Sequence, residues 1–150
     1  CTNFQYASSN GSTTSPSNST AANVISVGAV HRDDYEEPEG TTGIIASYSS
    51  RGPTKNGNPR PDLCAPTSTS TTLGSFSGTS CATPNAAGAA AAFWSGHPQL
   101  SANGVRQILF AKANLYKDWG ANGFDNVYGR GGMYLYDYFG NAFLDLIAGR

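Results

Sequence analysis

A glycine turn followed by a serine and a run of small residues limits what this chain can fold into more than any other stretch. Residues 77–92 read SGTSCATPNAAGAAAA. Gly78 permits a sharp entry into a helix, because glycine tolerates backbone angles that a side chain forbids. Ser80 then falls at or near the helix N-terminus, where its hydroxyl can cap free N–H groups. Pro84 falls in the first turn, where a missing N–H costs least.

The helix that follows carries almost no large side chains until Phe93. A helix of small residues can approach a neighbouring sheet closely, so the pattern predicts a central buried helix. The positive end of its dipole points to Ser80, which suits an atom that develops negative charge. Read by itself, this pattern also fits a capped, alanine-rich core helix with no chemistry.

The complete string favours chemistry over a plain core helix. Residues 78–88 have the form Gly-Thr-Ser-x-Ala-x-Pro-x-x-x-Gly, which resembles the nucleophile segment of the subtilisin-like serine peptidases (subtilases). The resemblance implies that Ser80 is the nucleophile of peptide-bond hydrolysis through an acyl-enzyme.

Other segments extend the resemblance over essentially the whole chain. Residues 23–30 read as an apolar strand buried on both faces and are similar to the Val-Ile-x-Val-Gly-Ala strand of subtilases. Residues 44–53 resemble their strand that ends in a Phe-Ser-Ser-x-Gly-Pro-like turn. Residues 59–66 resemble their Lys-Pro-Asp-(apolar)-x-Ala-Pro segment, which the family usually follows with Gly where this chain has Thr67. Residues 128–133 resemble the Tyr-Gly-x-Gly turn before the last short strand and terminal helix, expected within 134–148.

The resemblance implies an α/β fold: the C-terminal portion of a subtilisin-like three-layer fold, with a mostly parallel sheet and a central buried helix. Residues 1–150 are then the C-terminal part of a single peptidase domain. Between the elements, Gly96-His97-Pro98 ends the small-residue helix, and Ser101 caps a second helix that carries Val105, Ile108 and Leu109 on one face.

No histidine or aspartate of this chain is a credible partner for the serine. His31 lies in a charged loop and His97 at the far end of the small-residue helix, while the match makes Asp62 structural. Subtilases take their aspartate and histidine from segments well upstream of the serine. We therefore expect a companion chain or segment that carries both, as in a cleaved two-chain enzyme processed from a zymogen, and no peptidase activity from this chain by itself.

The resemblance also implies an oxyanion-hole asparagine. The nearest match to the family's Ala-Ala-Gly-Asn segment is residues 7–11, which read ASSNG and have Ser9 where Gly is expected. Asn10 is the candidate, with Asn3 as the alternative, although an asparagine before glycine is also a common turn. Asn10 and the Ser80 backbone N–H would together hold the oxyanion.

Composition narrows the remaining classes. The net charge is −1 and charged residues are 13% of the chain, so nothing favours nucleic acid or an acidic membrane as partner. No apolar run approaches the length of a membrane span, and the turn-rich composition favours a secreted hydrolase. Cys64 and Cys81 read as small buried hydrophobes, because no metal-ligand spacing exists, and Cys1 is free to pair upstream. The proposed chemistry requires no cofactor; calcium often stabilises subtilases, so the resemblance allows a structural calcium, but no carboxylate cluster specifies a site.

Two further hypotheses stand beside the peptidase. Departures from the family pattern at Ser9, Thr67 and Asn85 (often His in the family) fit a pseudoenzyme that uses the fold for binding or assembly. Polar loops and aromatic residues fit, more weakly, a secreted domain that binds glycans or surfaces.

Overall fold

The computed structural model describes residues 23–54, 57–72 and 74–135. The elements, in chain order, are β1 (Val27–His31), a 3₁₀ turn (Arg32–Asp34), β2 (Leu63–Thr67), β3 (Thr69–Thr71), β4 (Gly74–Phe76), α1 (Thr79–Ser95) and α2 (Ala102–Tyr116).

The two central strands, β1 and β2, are parallel. Their register runs from Val27 opposite Leu63 to His31 opposite Thr67. Ala29 and Val30 are fully buried, as the apolar run predicts, whereas Val24 is 39% exposed and precedes the strand. The predicted buried strand therefore begins later than the apolar run does.

A glycine turn follows β2 closely on its other edge. Cys64 of β2 donates its N–H to the Gly131 carbonyl at 2.8 Å and accepts from the Met133 N–H at 2.8 Å, and it forms a parallel bridge with Gly132. Gly129 has φ +69°, and a Cβ there would lie 2.6 Å from the Asp62 carbonyl oxygen. The Tyr-Gly-x-Gly turn is thus where a third parallel segment comes against β2, at an approach that excludes side chains.

Helix α1 packs on this sheet through small side chains. Its buried residues are Cys81, Ala82, Ala86 and Phe93. Ala82 and Ala86 form one core cluster with Ala29 of β1 and Ala65 of β2, so helix and sheet meet at the close distance that alanine allows. The opposite face, which includes Ala87 and Gly88, is exposed in the described part of the chain.

Helix α2 packs beside α1. The Ser101 hydroxyl caps it by accepting the Gly104 N–H at 3.1 Å, as predicted. Val105 and Leu109 are buried against Phe93 of α1, with Ile108 partly buried beside them. Among the described residues, neither helix is long and apolar enough to cross a bilayer. The architecture is the predicted α/β arrangement of a parallel strand pair covered by helices.

Candidate active site

The site is built on the first turn of α1. Gly78 is the N-cap residue, with φ +98°, and it makes no side-chain cap. Its carbonyl accepts the N–H of Cys81 at 2.9 Å and of Ala82 at 3.2 Å. Ser80 is therefore the second residue inside the helix, and the prediction that it lies at or near the N-terminus holds.

The suggested capping role of Ser80 is wrong. A capping serine precedes the helix and spends its oxygen on a backbone N–H, whereas Gly78 occupies that position here. Ser80 is exposed, and no hydrogen bond within the described ranges uses its hydroxyl. The hydroxyl is thus free to meet a substrate and a base.

Two backbone donors accompany the hydroxyl. The N–H groups at the start of any helix lack a carbonyl one turn earlier. Those of Thr79 and Ser80 are in this position, and the backbone bonds formed by described residues leave both unused. Together with the helix dipole they create a positive potential beside the Ser80 hydroxyl, which is what an oxyanion requires.

Pro84 lies deeper in the helix than predicted. The helix begins at Thr79, so Pro84 follows the first turn and its missing N–H would have bonded the carbonyl four residues earlier. That carbonyl belongs to Ser80. The proline therefore leaves the Ser80 backbone oxygen without its helical partner, directly beside the Ser80 hydroxyl.

Hydroxyl and amide side chains attach this turn to β2 and β3. The Asn85 Nδ2 group donates to the Pro66 carbonyl at 2.9 Å, and the Thr69 hydroxyl lies 3.1 Å from the Cys81 sulfur. The Thr67 hydroxyl donates to the Gly78 carbonyl at 3.0 Å. Sequence reasoning noted Thr67 and Asn85 as departures from the family pattern and did not assign these contacts, which only residues distant in sequence can make.

The two described cysteines have opposite acid–base character. Burial, reinforced by the charge of Asp125, raises the pKa of the Cys64 thiol far above its ordinary value. Burial also acts to raise the pKa of the Cys81 thiol. Hydrogen bonds to the sulfur, chiefly from the Thr69 hydroxyl and amide, act in the opposite direction and outweigh burial, so the pKa of Cys81 is lowered from 9.0. Both are buried, as predicted, yet Cys81 is more than a small hydrophobe because its sulfur is hydrogen-bonded.

His97 and Asp62 are not placed for a triad role. His97 stacks on Phe93 with ring centroids 4.4 Å apart, beyond the far end of α1, about 25 Å from Ser80 at about 1.5 Å per residue. His31 lies 3.3 Å from Asp33 at the 3₁₀ turn. Asp62 is 2% exposed and is held by the Ser26 N–H at 2.8 Å.

Asn10, the alternative Asn3 and the departure at Ser9 lie outside the described residues, as do Cys1 and most of the predicted terminal segment. Within the described ranges, no three His, Cys, Asp or Glu side chains are grouped as metal ligands would be.

The chain is similar to known proteins both in sequence and in structure. The model of the subtilase family matches residues 2–131. Serine protease AprX of Bacillus subtilis (strain 168) is 34% identical over 130 residues, which cover 73% of this chain and 28% of AprX. The structure of sphericase superposes with a TM-score of 0.60 at 28% identity and covers 75% of this chain and 40% of sphericase.

The chain thus spans less than half the length of each of these two relatives. The family match nevertheless extends over most of the chain and includes the exposed serine at the start of α1. The chain belongs to the subtilase family.

Proposed function

We propose that this chain carries the nucleophile of a serine endopeptidase. The observation that carries the proposal is the exposed Ser80 hydroxyl in the first turn of α1, next to two unused backbone N–H groups. A serine needs a base to take its proton and an acid to orient that base. We propose that a companion chain or segment supplies the histidine and aspartate, so that residues 1–150 by themselves are inactive.

In the proposed reaction, Ser80 Oγ attacks the peptide carbonyl while the companion histidine takes the hydroxyl proton. The carbonyl oxygen becomes an oxyanion, which the Ser80 N–H and the Asn10 side chain stabilise. Collapse breaks the C–N bond, the histidine returns the proton to the leaving amine, and water then hydrolyses the acyl-enzyme by the same route. Loss of one oxyanion donor typically lowers kcat by about 10²–10³.

The pseudoenzyme hypothesis rested on departures from the family pattern. Two of them argue for the peptidase, because Thr67 and Asn85 both form hydrogen bonds that attach the Ser80 turn to β2. A site that had lost its chemistry would not need these supports. The turn-rich composition, with eighteen glycines and eight prolines, further supports a secreted protein.

A fluorophosphonate probe tests the proposal, since it reacts only with an activated serine. The native protein with its companion segment is labelled, digested and mapped, and Ser80→Ala serves as the control. We expect an adduct on Ser80 and a loss of kcat on the order of 10⁶ in Ser80→Ala. A folded, uninhibited protein that takes no label on Ser80 would refute catalysis and favour the pseudoenzyme.

A further inference from the structure

Three hydrogen bonds close a ring around the residue that starts α1. The Thr67 hydroxyl donates to the Gly78 carbonyl at 3.0 Å. The Tyr48 hydroxyl lies 3.2 Å from the Thr67 hydroxyl. The Gly78 N–H donates to the Tyr48 oxygen at 3.4 Å. Both polar groups of one glycine are thereby held by two side chains.

Proton counting fixes the direction of each bond. A hydroxyl has one proton to donate and two lone pairs to accept with. Thr67 gives its proton to the Gly78 carbonyl, so the proton between Tyr48 and Thr67 must come from Tyr48. The Tyr48 oxygen then accepts the Gly78 N–H. All three hydrogen bonds therefore point the same way around the ring, from the Gly78 N–H through the two hydroxyls to the Gly78 carbonyl. Hydrogen bonds arranged in such a chain polarise and so strengthen one another.

Gly78 is a point where the chain needs such support. Its φ of +98° lies in a region that favours glycine, and α1 has no side-chain cap. Glycine loses more conformational freedom on ordering than any other residue. The Gly78 carbonyl also accepts the helical N–H groups of Cys81 and Ala82, and the ring adds a restraint from outside the helix. Ser80 follows two residues later, so rotation at Gly78 moves its hydroxyl.

The ring joins this turn to a rigid part of the fold. Thr67 is fully buried at the end of β2 and pairs with His31 of β1. Tyr48 is 51% exposed and reaches the turn from the segment after the Val30–Ile45 bridge. The ring therefore ties the N-terminus of α1 to the end of β2.

Both side chains depart from the pattern that this chain otherwise resembles. Position 48 stands where that pattern has Phe, and position 67 where it has Gly. Phe has no hydroxyl and Gly has no side chain, so neither could form this ring. The two departures contact each other although they lie 19 residues apart in sequence.

We propose that Tyr48 and Thr67 are positioning residues that hold the Ser80 hydroxyl in its reactive orientation through Gly78. The proposal rests on the proposed peptidase function. Neither residue touches the reacting atoms; each acts on the orientation of the first turn of α1. Their loss should therefore slow the attack of Ser80 and leave substrate binding nearly unchanged.

The test uses the native protein with its companion segment. It measures the second-order rate constant for fluorophosphonate labelling of Ser80, and separately kcat and KM for a peptide substrate. The variants are Tyr48→Phe, Thr67→Val, the double variant and Thr67→Ser, which keeps the hydroxyl. Tyr116→Phe removes a tyrosine hydroxyl on α2, away from the ring, and is the matched control.

We expect Tyr48→Phe and Thr67→Val each to slow labelling about tenfold, with kcat falling and KM unchanged. The double variant should be no slower than about tenfold, because either change breaks the same ring. Thr67→Ser should recover most of the rate, and Tyr116→Phe should match the wild type.

Wild-type labelling combined with an unchanged rate in Tyr48→Phe would overturn the positioning role and leave the peptidase proposal standing. Fully multiplicative losses in the double variant would also overturn it, because the two hydroxyls would then act independently. A wild-type protein without label on Ser80 would overturn both proposals. Tyr48 is half-exposed and its variant keeps the aromatic ring, so the test remains decisive if Thr67→Val does not fold.

Discussion

Ser80 is available for chemistry because Gly78 takes the position before the helix that a capping serine would occupy. The hydroxyl is exposed, and the nearby backbone donors have no helical acceptor. Cys81, the next residue, points the other way into the interior and is 1% exposed. Two adjacent side chains thus lie in different environments, because successive residues on a helix project about 100° apart.

The acid–base behaviour of Cys81 provides a prediction at this scale. Its folded pKa is lowered from 9.0, so ionisation stabilises the folded state, and this contribution is present above pH 9 and is lost as the pH falls through the folded pKa. The free energy of unfolding of the wild type relative to Cys81→Ala should therefore rise as the pH approaches 9 from below. Denaturant titrations at a series of pH values measure this difference, in which the contributions of the other cysteines cancel.

Thr69→Val removes a main donor to the sulfur, and in that background the rise should shift to higher pH. A difference between wild type and Cys81→Ala that stays constant with pH, or that falls as the pH rises, would contradict the prediction. Because the Thr67 hydroxyl also faces the Cys81 sulfur, the labelling experiments on the ring compare all variants at one fixed pH.

Among the elements, β2 is central, because β1, the glycine turn and α1 all contact it. It pairs with β1 along one edge and meets Gly132 on the other, and α1 is attached to its end through Asn85 and Pro66. Directly before β2, Asp62 joins the two strands by accepting the Ser26 N–H at 2.8 Å. Asp62 also lies 3.2 Å from the Arg60 guanidinium, with both side chains buried.

Replacement of Asp62 by Asn should destabilise the strand pair strongly. The change keeps the shape of the side chain but removes the buried charge opposite Arg60, and removal of one partner of a buried pair typically costs about 3–5 kcal/mol. Asp33→Asn is the control, since its pair with Arg32 at 3.3 Å is exposed and should contribute less than about 1 kcal/mol. Urea unfolding followed by circular dichroism measures both, and equal losses would show that Asp62 does not act through its buried charge.

Over the whole molecule, Trp119 connects segments from both halves of the described chain. Its ring is fully buried and packs edge-on against Tyr35 at 5.1 Å and Tyr128 at 6.1 Å. Its indole N–H donates to the Glu37 carbonyl at 3.0 Å. The loop after β1 and the turn beside β2 are thereby packed into one core.

Trp94 is a matched control for Trp119. Its indole N–H also donates to a backbone carbonyl, that of Leu100 at 2.9 Å, but its side chain is 41% exposed. Trp119→Ala should lower the free energy of unfolding by about 4 kcal/mol, and Trp94→Ala by about 1 kcal/mol. Similar losses for the two variants, measured by denaturant titration, would show that burial of Trp119 is not what stabilises this core.

Local patterns were sufficient to predict much of the fold. The Ser101 cap, the small-residue helix and the apolar strand before His31 all depend on residues close together in sequence, and each was found. The boundaries were less accurate, since α1 begins before the position that would put Pro84 in its first turn. The start of a helix depends on which residue caps it, and the sequence around Gly78 contains two serines and a glycine that could each take the cap position.

The sequence by itself determined the family and the α/β class and pointed to Ser80 as the candidate nucleophile, because a motif confined to residues 78–88 carries the geometry of a turn, a serine and a helix. The tertiary structure decided what holds that motif in place. Thr67 and Gly78 lie 11 residues apart, and Tyr48 and Thr67 lie 19 apart, distances over which no local periodicity operates. Whether these hydroxyls come within hydrogen-bond distance depends on the register of β1 against β2 and on the position of α1 on the sheet. Both are fixed by packing of the core when the chain folds.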